Sequence, residues 1–321
     1  MRTGLLILVI ISSLVMGVQT VFAQTPINVV TTTGMITDTV RQIGGDRVQV
    51  TGLMGAGVDP HLYRPTAGDI QTLQNADIIF RNGGNLEGRM GEIFDRLTSR
   101  VPVHTLIDAM PSDRLFAHPV YNGFSDPHVW FDVSLWSEGI DAIVDGLSAL
   151  DPSGAEMYAA NAAAYREKLS VLDAYIADAV ATIPEDQRVL ITAHDAFGYF
   201  GARYGIEVVG LQGVSTEAEA GVQDVQSLVT LVVENRVPAV FIESSVPRRT
   251  IEAVVEAARA RGWDVRIGGE LFSDAPGDSQ TLEGTYIGMA LHNLIAIVPA
   301  LGGELPPLPD VLSDFQPIFE E

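Results

Sequence analysis

Residues 155–183 read AEMYAANAAAYREKLSVLDAYIADAVATI, and how this segment folds decides the architecture. Its apolar side chains at Tyr165, Leu169, Leu172, Ile176, Val180 and Ile183 are spaced four, three, four, four and three apart, the repeat of one helical face. No glycine or proline interrupts the run, Asp151-Pro152-Ser153 supplies a start, and Pro184 supplies a stop. A helix over 155–183 runs roughly 42 Å at 1.5 Å per residue, about the height of a small domain. An ordinary long surface helix has the same pattern. What flanks the segment favours a stiff strut.

Upstream, from Ile27, short apolar runs alternate with amphipathic ones: INVVTTT, MITDTVRQIGG, RVQVTGLM, TAGDIQTLQNA, DIIFRNG, LEGRMGEIFDRLTS, VPVHTL. Strand and helix in alternation predict a parallel sheet with helices on its faces. Gly44-Gly45 and Gly83-Gly84 fall at the breaks, where turns demand unusual backbone angles. Downstream the rhythm restarts near Arg188 with RVLITA, HDAFGYFGARYG, IEVVGLQ, VQDVQSLVTLVVENR, PAVFIES, RRTIEAVVEAARARG, WDVRIGGEL, and a last helix from about Thr281 to Leu301. The expectation is two α/β lobes with parallel sheets, residues 24–154 and 184–321, joined by one long rigid helix over 155–183. No residue-level repeat relates the two lobes.

The 321 residues suit two such units. Lys and Arg number 19 against 41 Asp and Glu, a net charge of −22. That balance argues against a basic face for nucleic acid or anionic lipid. Residues 1–23, MRTGLLILVIISSLVMGVQTVFA, combine Arg2, an apolar run from Leu5 to Val18 and small or compact residues at Val21 and Ala23. This is the pattern of a secretory signal peptide cut after Ala23, and the apolar run is short for an uncleaved anchor, which needs about 20 residues. The chain has no cysteine, hence no disulfide, no thiolate ligand and no lipid-modified cysteine. Any metal here is held by nitrogen and oxygen.

Four residues stand out. Asp59-Pro60-His61 follows Gly55-Ala56-Gly57 after a predicted strand, where open α/β sheets place ligands. Pro60 fixes its own φ near −65° and pushes Asp59 towards extended geometry, so the tripeptide presents an imidazole on a stiff arm. Asp126-Pro127-His128 repeats the arm ahead of the apolar Val129-Trp130-Phe131. His194 ends the strand RVLITA in the second lobe, and Asp274 follows the strand WDVRIG in GGELFSDAPG. Taken singly, each is equally a turn, cap or core residue. Together they make three imidazoles and one carboxylate at predicted strand ends, two from each lobe, a set that suits Zn(II), Mn(II) or Fe(II) in a tetrahedral shell. Glu243 and Asp132 are candidates to hold the second ring nitrogen of a ligating histidine. His104 and His292 read as structural, and His118 as at most a weak accessory site, since no His-rich run accompanies it.

The stretches GVDPHLYRPTAGD, LEGRM, DPHVWFDVSLW, LITAHDAFGYFGARYGIEV, LQGVSTEAEAG, VFIESSVP, GGELFSDAPG and GTYIGMALHN closely resemble the zinc/manganese receptors of ABC importers, the metal-binding solute-binding proteins. The likeness runs over nearly the whole mature chain. It implies two lobes bridged by one helix, one divalent ion in the cleft, His61, His128, His194 and Asp274 as its ligands, and a permease and ATPase as partners of a monomeric periplasmic receptor. Some manganese receptors of this family carry Glu where this chain has His194, which leaves zinc open. Many zinc-specialised members carry a His-rich acidic loop that this chain lacks, which tilts back towards manganese or both. The lipid-anchoring cysteine of Gram-positive members is absent, implying a free periplasmic protein. Two other functions compete. A secreted zinc hydrolase needs an open metal position and a base, and no H-E-x-x-H helix is present. An exported adhesin or scaffold with a structural metal predicts unfolding on chelation.

Overall fold

The computed structural model describes residues 25–320; the expected signal peptide lies outside the described residues. The first lobe contains β1 (Ile27–Thr31), α1 (Gly34–Gly44), β2 (Val48–Gly52), α2 (Ala67–Gln74), β3 (Ile78–Arg81), α3 (Gly91–Leu97) and β4 (Val103–Thr105). Its four strands pair in parallel in the order β2-β1-β3-β4. Two long helices follow, α4 (Val133–Leu150) and α5 (Ala155–Ala181). The second lobe holds β5 (Val189–His194), α6 (Gly198–Tyr204), β6 (Glu207–Gln212), α7 (Val222–Glu234), β7 (Ala239–Glu243), α8 (Arg249–Ala260), β8 (Arg266–Leu271) and α9 (Tyr286–Ala300). Here β5 pairs with β6 and β7 with β8, both in parallel, and β5 lies alongside β7. No helix among the described residues is long and apolar enough to cross a membrane.

Period-two alternation sends neighbouring strand residues to opposite faces. Val29 therefore joins one apolar cluster and Val30 another, and Phe241 and Val240 divide in the same way. The largest cluster is continuous. It runs from Val29, Met35 and Ile36 through Leu169, Leu172 and Ile176 of α5 to Phe241, Leu294 and Ile318. The α5 register expected from the spacing is the one observed: Tyr165, Leu169, Leu172, Ile176 and Val180 are all buried, and Ile183 is buried in the turn after the helix. At about 1.5 Å per residue α5 is about 40 Å long, and it packs on α1 and α4 at one end and on α6 and α9 at the other. Because the core passes through the strut, prising the lobes apart exposes apolar surface, which resists a wide swing.

Helix α4 is not foreseen from the sequence. Its Gly146 lies where an added Cβ would sit 2.9 Å from Ile78 Cδ1 and 3.0 Å from Phe80 Cζ, so the glycine lets the helix settle onto β3. A bulge on β7–β8 between Val240 and Phe241 places Gly268 against the Phe241 ring, 2.6 Å from where its Cβ would be.

Candidate metal centre

The two Asp-Pro-His arms work through their aspartates. Asp59 Oδ1 accepts the backbone N–H of His61 at 2.8 Å and of Leu62 at 3.3 Å. Asp126 Oδ1 accepts the N–H of His128 at 3.0 Å and also its ring Nδ1–H at 2.8 Å. Each is an Asx turn that fixes the histidine two residues on. The aspartate at that spacing was the sequence signal for this role, which the proline alone does not supply. Donation of Nδ1–H to Asp126 leaves the Nε2 lone pair of His128 free for a cation.

Contrary to expectation, the His128 arm does not lie at a strand end; residues 106–125 separate it from β4. It is held instead by the segment after β3. Asn82 Nδ2 donates to Pro127 O at 2.8 Å. Gly84 adopts φ +62°, and a Cβ there would lie 2.8 Å from Ser125 O and 2.9 Å from Pro127 Cα. Buried Glu87 secures this turn by accepting Thr32 Oγ1–H at 2.6 Å, Asn82 N–H at 2.8 Å and Gly83 N–H at 3.2 Å.

In the second lobe His194 is the last residue of β5. Its backbone N–H donates to Glu243 Oε1 at 2.9 Å and its ring Nδ1–H donates to Glu243 Oε2, so the carboxylate at the end of β7 orients it as expected. Asp274 lies in the loop after β8, where Ser273 O accepts Trp130 Nε1–H at 3.0 Å from the first lobe. Asp274 Oδ1 is 3.3 Å from His128 Nε2, and its Oδ2 is 3.3 Å from His194 Nε2 and 4.0 Å from His61 Nε2. One candidate ligand atom from each of these four residues lies within 4.8 Å of all the others. His61, His128, His194 and Asp274 are no more than 4% exposed. The Nε2 atoms of the three histidines and Asp274 Oδ1 are buried without a hydrogen-bond partner. Buried polar atoms are nearly always satisfied, and four orphans facing one point are what a central cation satisfies.

The charges differ among the four. Burial holds the His61 imidazole neutral, lowering its pKa to about 3. Burial also pulls on His128, but the Asp126 and Asp274 carboxylates outweigh it and push it up to about 9. His194 is raised well above the ordinary range, burial being overcome by Glu243 and then Asp274. Burial opposes ionisation of Asp274, yet His194, His128 and His61 hold it well below the usual carboxylate range. The neighbouring carboxylates thus favour a proton on His128 and His194 but not on His61, and a cation entering the cluster displaces any proton held there.

The remaining candidates separate cleanly. His104 sits on β4 against the Phe80 ring, and His292 Nε2 meets Glu270 O at 3.0 Å. His118 Nδ1 accepts the N–H groups of Val120 and Tyr121, each at 3.1 Å, so it braces its own loop. Asp132 does not support a histidine of the cluster. It caps α4, accepting Leu135 N–H at 3.0 Å and Ser134 Oγ–H at 2.6 Å, and pairs with Arg114 at 2.9 Å.

Residues 29–300 match the family described as ZnuA, zinc-uptake complex component A, periplasmic. The zinc-binding protein TroA of Treponema pallidum is 49% identical over 274 residues, covering 85% of this chain and 88% of that protein. The manganese-binding lipoprotein MntA of Bacillus subtilis is 45% identical over 280 residues, covering 87% and 91% respectively. The solved structure of the Treponema pallidum periplasmic zinc-binding protein TroA superposes with a TM-score of 0.83 at 48% identity, over 87% of this chain and 99% of that one. Fold, buried cluster and these likenesses converge: the chain belongs to the ZnuA family of substrate-binding proteins of metal ABC transporters.

Proposed function

We propose that this protein is a periplasmic receptor that captures one zinc(II) or manganese(II) ion through His61, His128, His194 and Asp274 and delivers it to the permease and ATPase of an ABC importer. The observation that carries the reading is the convergence of four buried, unpartnered ligand atoms. Three imidazoles and a carboxylate are a borderline donor set suited to either ion. In this reading residues 24–154 and 184–321 are the lobes, 155–183 is the strut, and the receptor acts as a monomer. MntA is named a lipoprotein, whereas this sequence contains no cysteine to carry a thioether-linked lipid, and we place the protein free in the periplasm. A shell closed by four protein ligands suits capture, since a catalytic zinc keeps a position open for water.

Titration calorimetry with zinc or manganese tests the reading. Wild-type protein and His104→Ala bind one ion tightly. His61→Ala, His128→Ala, His194→Ala and Asp274→Ala each lose more than the roughly 100-fold typical of removing an outer hydrogen-bond partner, with the circular dichroism of the metal-free fold intact. Tight one-to-one binding by any of those four removes that residue from the shell. A wild type that unfolds when stripped with chelator favours a structural metal and overturns the receptor.

A further inference from the structure

Gly34 opens α1 directly beneath the loop that carries Asp274. A Cβ built on Gly34 lies 2.5 Å from Cγ and 2.6 Å from Cδ of Pro276. Gly34 is not one of the glycines with positive φ, so backbone freedom does not explain it. What its missing side chain provides is close approach between the lobes. The contact is rigid on both sides. Asp38, one turn further along α1, accepts the Tyr286 N–H at the start of α9 at 2.9 Å. The proline ring has no rotamer by which to withdraw, and Gly277 N–H is tied to Glu283 O at 2.9 Å.

We propose that Gly34 and Pro276 form the closing stop of the metal cleft, and that the absence of a side chain at Gly34 lets Asp274 come within bonding distance of the ion held by the histidines. Carbon atoms pack at roughly 3.5–4.0 Å, so a methyl group at Gly34 drives the Pro276 loop back by about 1 Å. Asp274 is two residues away in that loop. Metal–oxygen bonds near 2.0–2.2 Å tolerate deviations of only about 0.2 Å. The displaced loop takes the carboxylate out of the shell, leaves three imidazoles and speeds release. Gly34 is thus a positioning residue that acts through Pro276 on Asp274.

This inference rests on the receptor reading, and the test separates the two. Zinc affinity, and zinc release measured by stopped flow into a chromophoric chelator, are compared for wild type, Gly34→Ala, Pro276→Ala and the double variant. Gly34→Ala releases zinc roughly 10- to 100-fold faster, the range set by overpacking a tight contact. The same clash is present without the ion, so the metal-free melting temperature of Gly34→Ala falls as well, and release is compared at a temperature where circular dichroism shows both proteins folded. The double variant, which lacks the proline ring, recovers most of the wild-type rate. Wild-type release in Gly34→Ala, or no recovery in the double variant, overturns the stop while leaving the receptor standing. A wild type that binds no zinc or manganese overturns both.

Discussion

Glu243→Gln removes one charge and changes almost no volume, yet the geometry around His194 predicts a large effect on metal binding. Glu243 accepts two hydrogen bonds from one residue, the backbone N–H of His194 at 2.9 Å on Oε1 and the ring Nδ1–H on Oε2. A carboxylate has an acceptor for each, whereas glutamine has one carbonyl oxygen and one NH2. If the oxygen serves the backbone, the NH2 faces Nδ1, drives the proton to Nε2 and removes the lone pair that reaches the ion. If the oxygen serves the ring, the buried backbone N–H loses its acceptor, a penalty of about 1–3 kcal/mol. The wrong tautomer in the first arrangement, or the weaker hold on the ring in the second, predicts a loss of roughly 10- to 100-fold in affinity, about 1.4–2.7 kcal/mol. A second consequence has the opposite sign. Glu243 is the leading charge that raises the His194 pKa against burial, so in wild type the ion competes with a proton at neutral pH. In Glu243→Gln that competition weakens, and the affinity deficit shrinks as pH falls. Calorimetric titrations between about pH 6 and 9, run in buffers of different ionisation enthalpy, measure both effects, since metal binding releases the displaced protons. Wild type releases more protons per ion and shows the steeper rise of affinity with pH. Equal affinities at the high end of the range refute the argument, because there proton competition is least and only the lost orientation remains.

Three further outcomes are expected. In metal-free protein His128, raised to about 9, contributes stability that is fully present below its ordinary value of 6.5 and lost as pH climbs towards 9; metal loading strengthens over that window, so the melting-temperature gain on loading grows with pH in calorimetric scans. Asp132→Ala removes the α4 cap and costs about 0.5–2 kcal/mol in denaturant unfolding, with the dissociation constant for zinc unchanged, because Asp132 makes none of the contacts around the histidines. Scattering profiles of stripped and loaded protein differ slightly, since one apolar core runs through both lobes and α5; a large compaction on loading refutes the rigid strut.

Periodic features were the readable ones. The α5 face from Tyr165 to Val180 and the strand and helix alternation follow from local periods of 3.6 and 2, which any packing partner must respect. Helix α4 escaped because Gly139 and Gly146 weaken its local pattern, and their purpose, contact with Met110 and with the β3 side chains Ile78 and Phe80, exists only once the sheet is built. The four clustered residues were legible through stiff presentation and likeness, but their supporting acids were read unevenly. Glu243 and Asp132 both end an apolar run, and nothing local tells a strand-end carboxylate facing His194 from a helix cap facing Arg114. Asp126 sits two residues before His128 and supports it through a purely local turn. An aspartate two residues before a histidine is thus a local signal that the sequence carries, independent of the proline between them.

The four residues are fastened unequally, which bears on release. His128 leans on Asp126, His194 on Glu243, and His61 on an Asp59 that also accepts Thr216 Oγ1–H across the cleft at 2.6 Å. Asp274 has no such independent anchor. Apart from the histidines, its hydrogen-bond partner among the described residues is Ser245 Oγ at 3.5 Å, and its Oδ1 has none. A receptor whose lobes share one core cannot rely on wide opening to surrender an ion, but it does not need to. Displacement of this carboxylate by about 1 Å would break the proposed shell, because metal–oxygen bonds tolerate only about 0.2 Å. The carboxylates behind His128 and His194 then favour their reprotonation at neutral pH. In the proposed shell, holding and letting go would therefore depend on different residues: His128 and His194, each braced at the ring by a carboxylate, would retain the ion, and the loop of Asp274 would set how long.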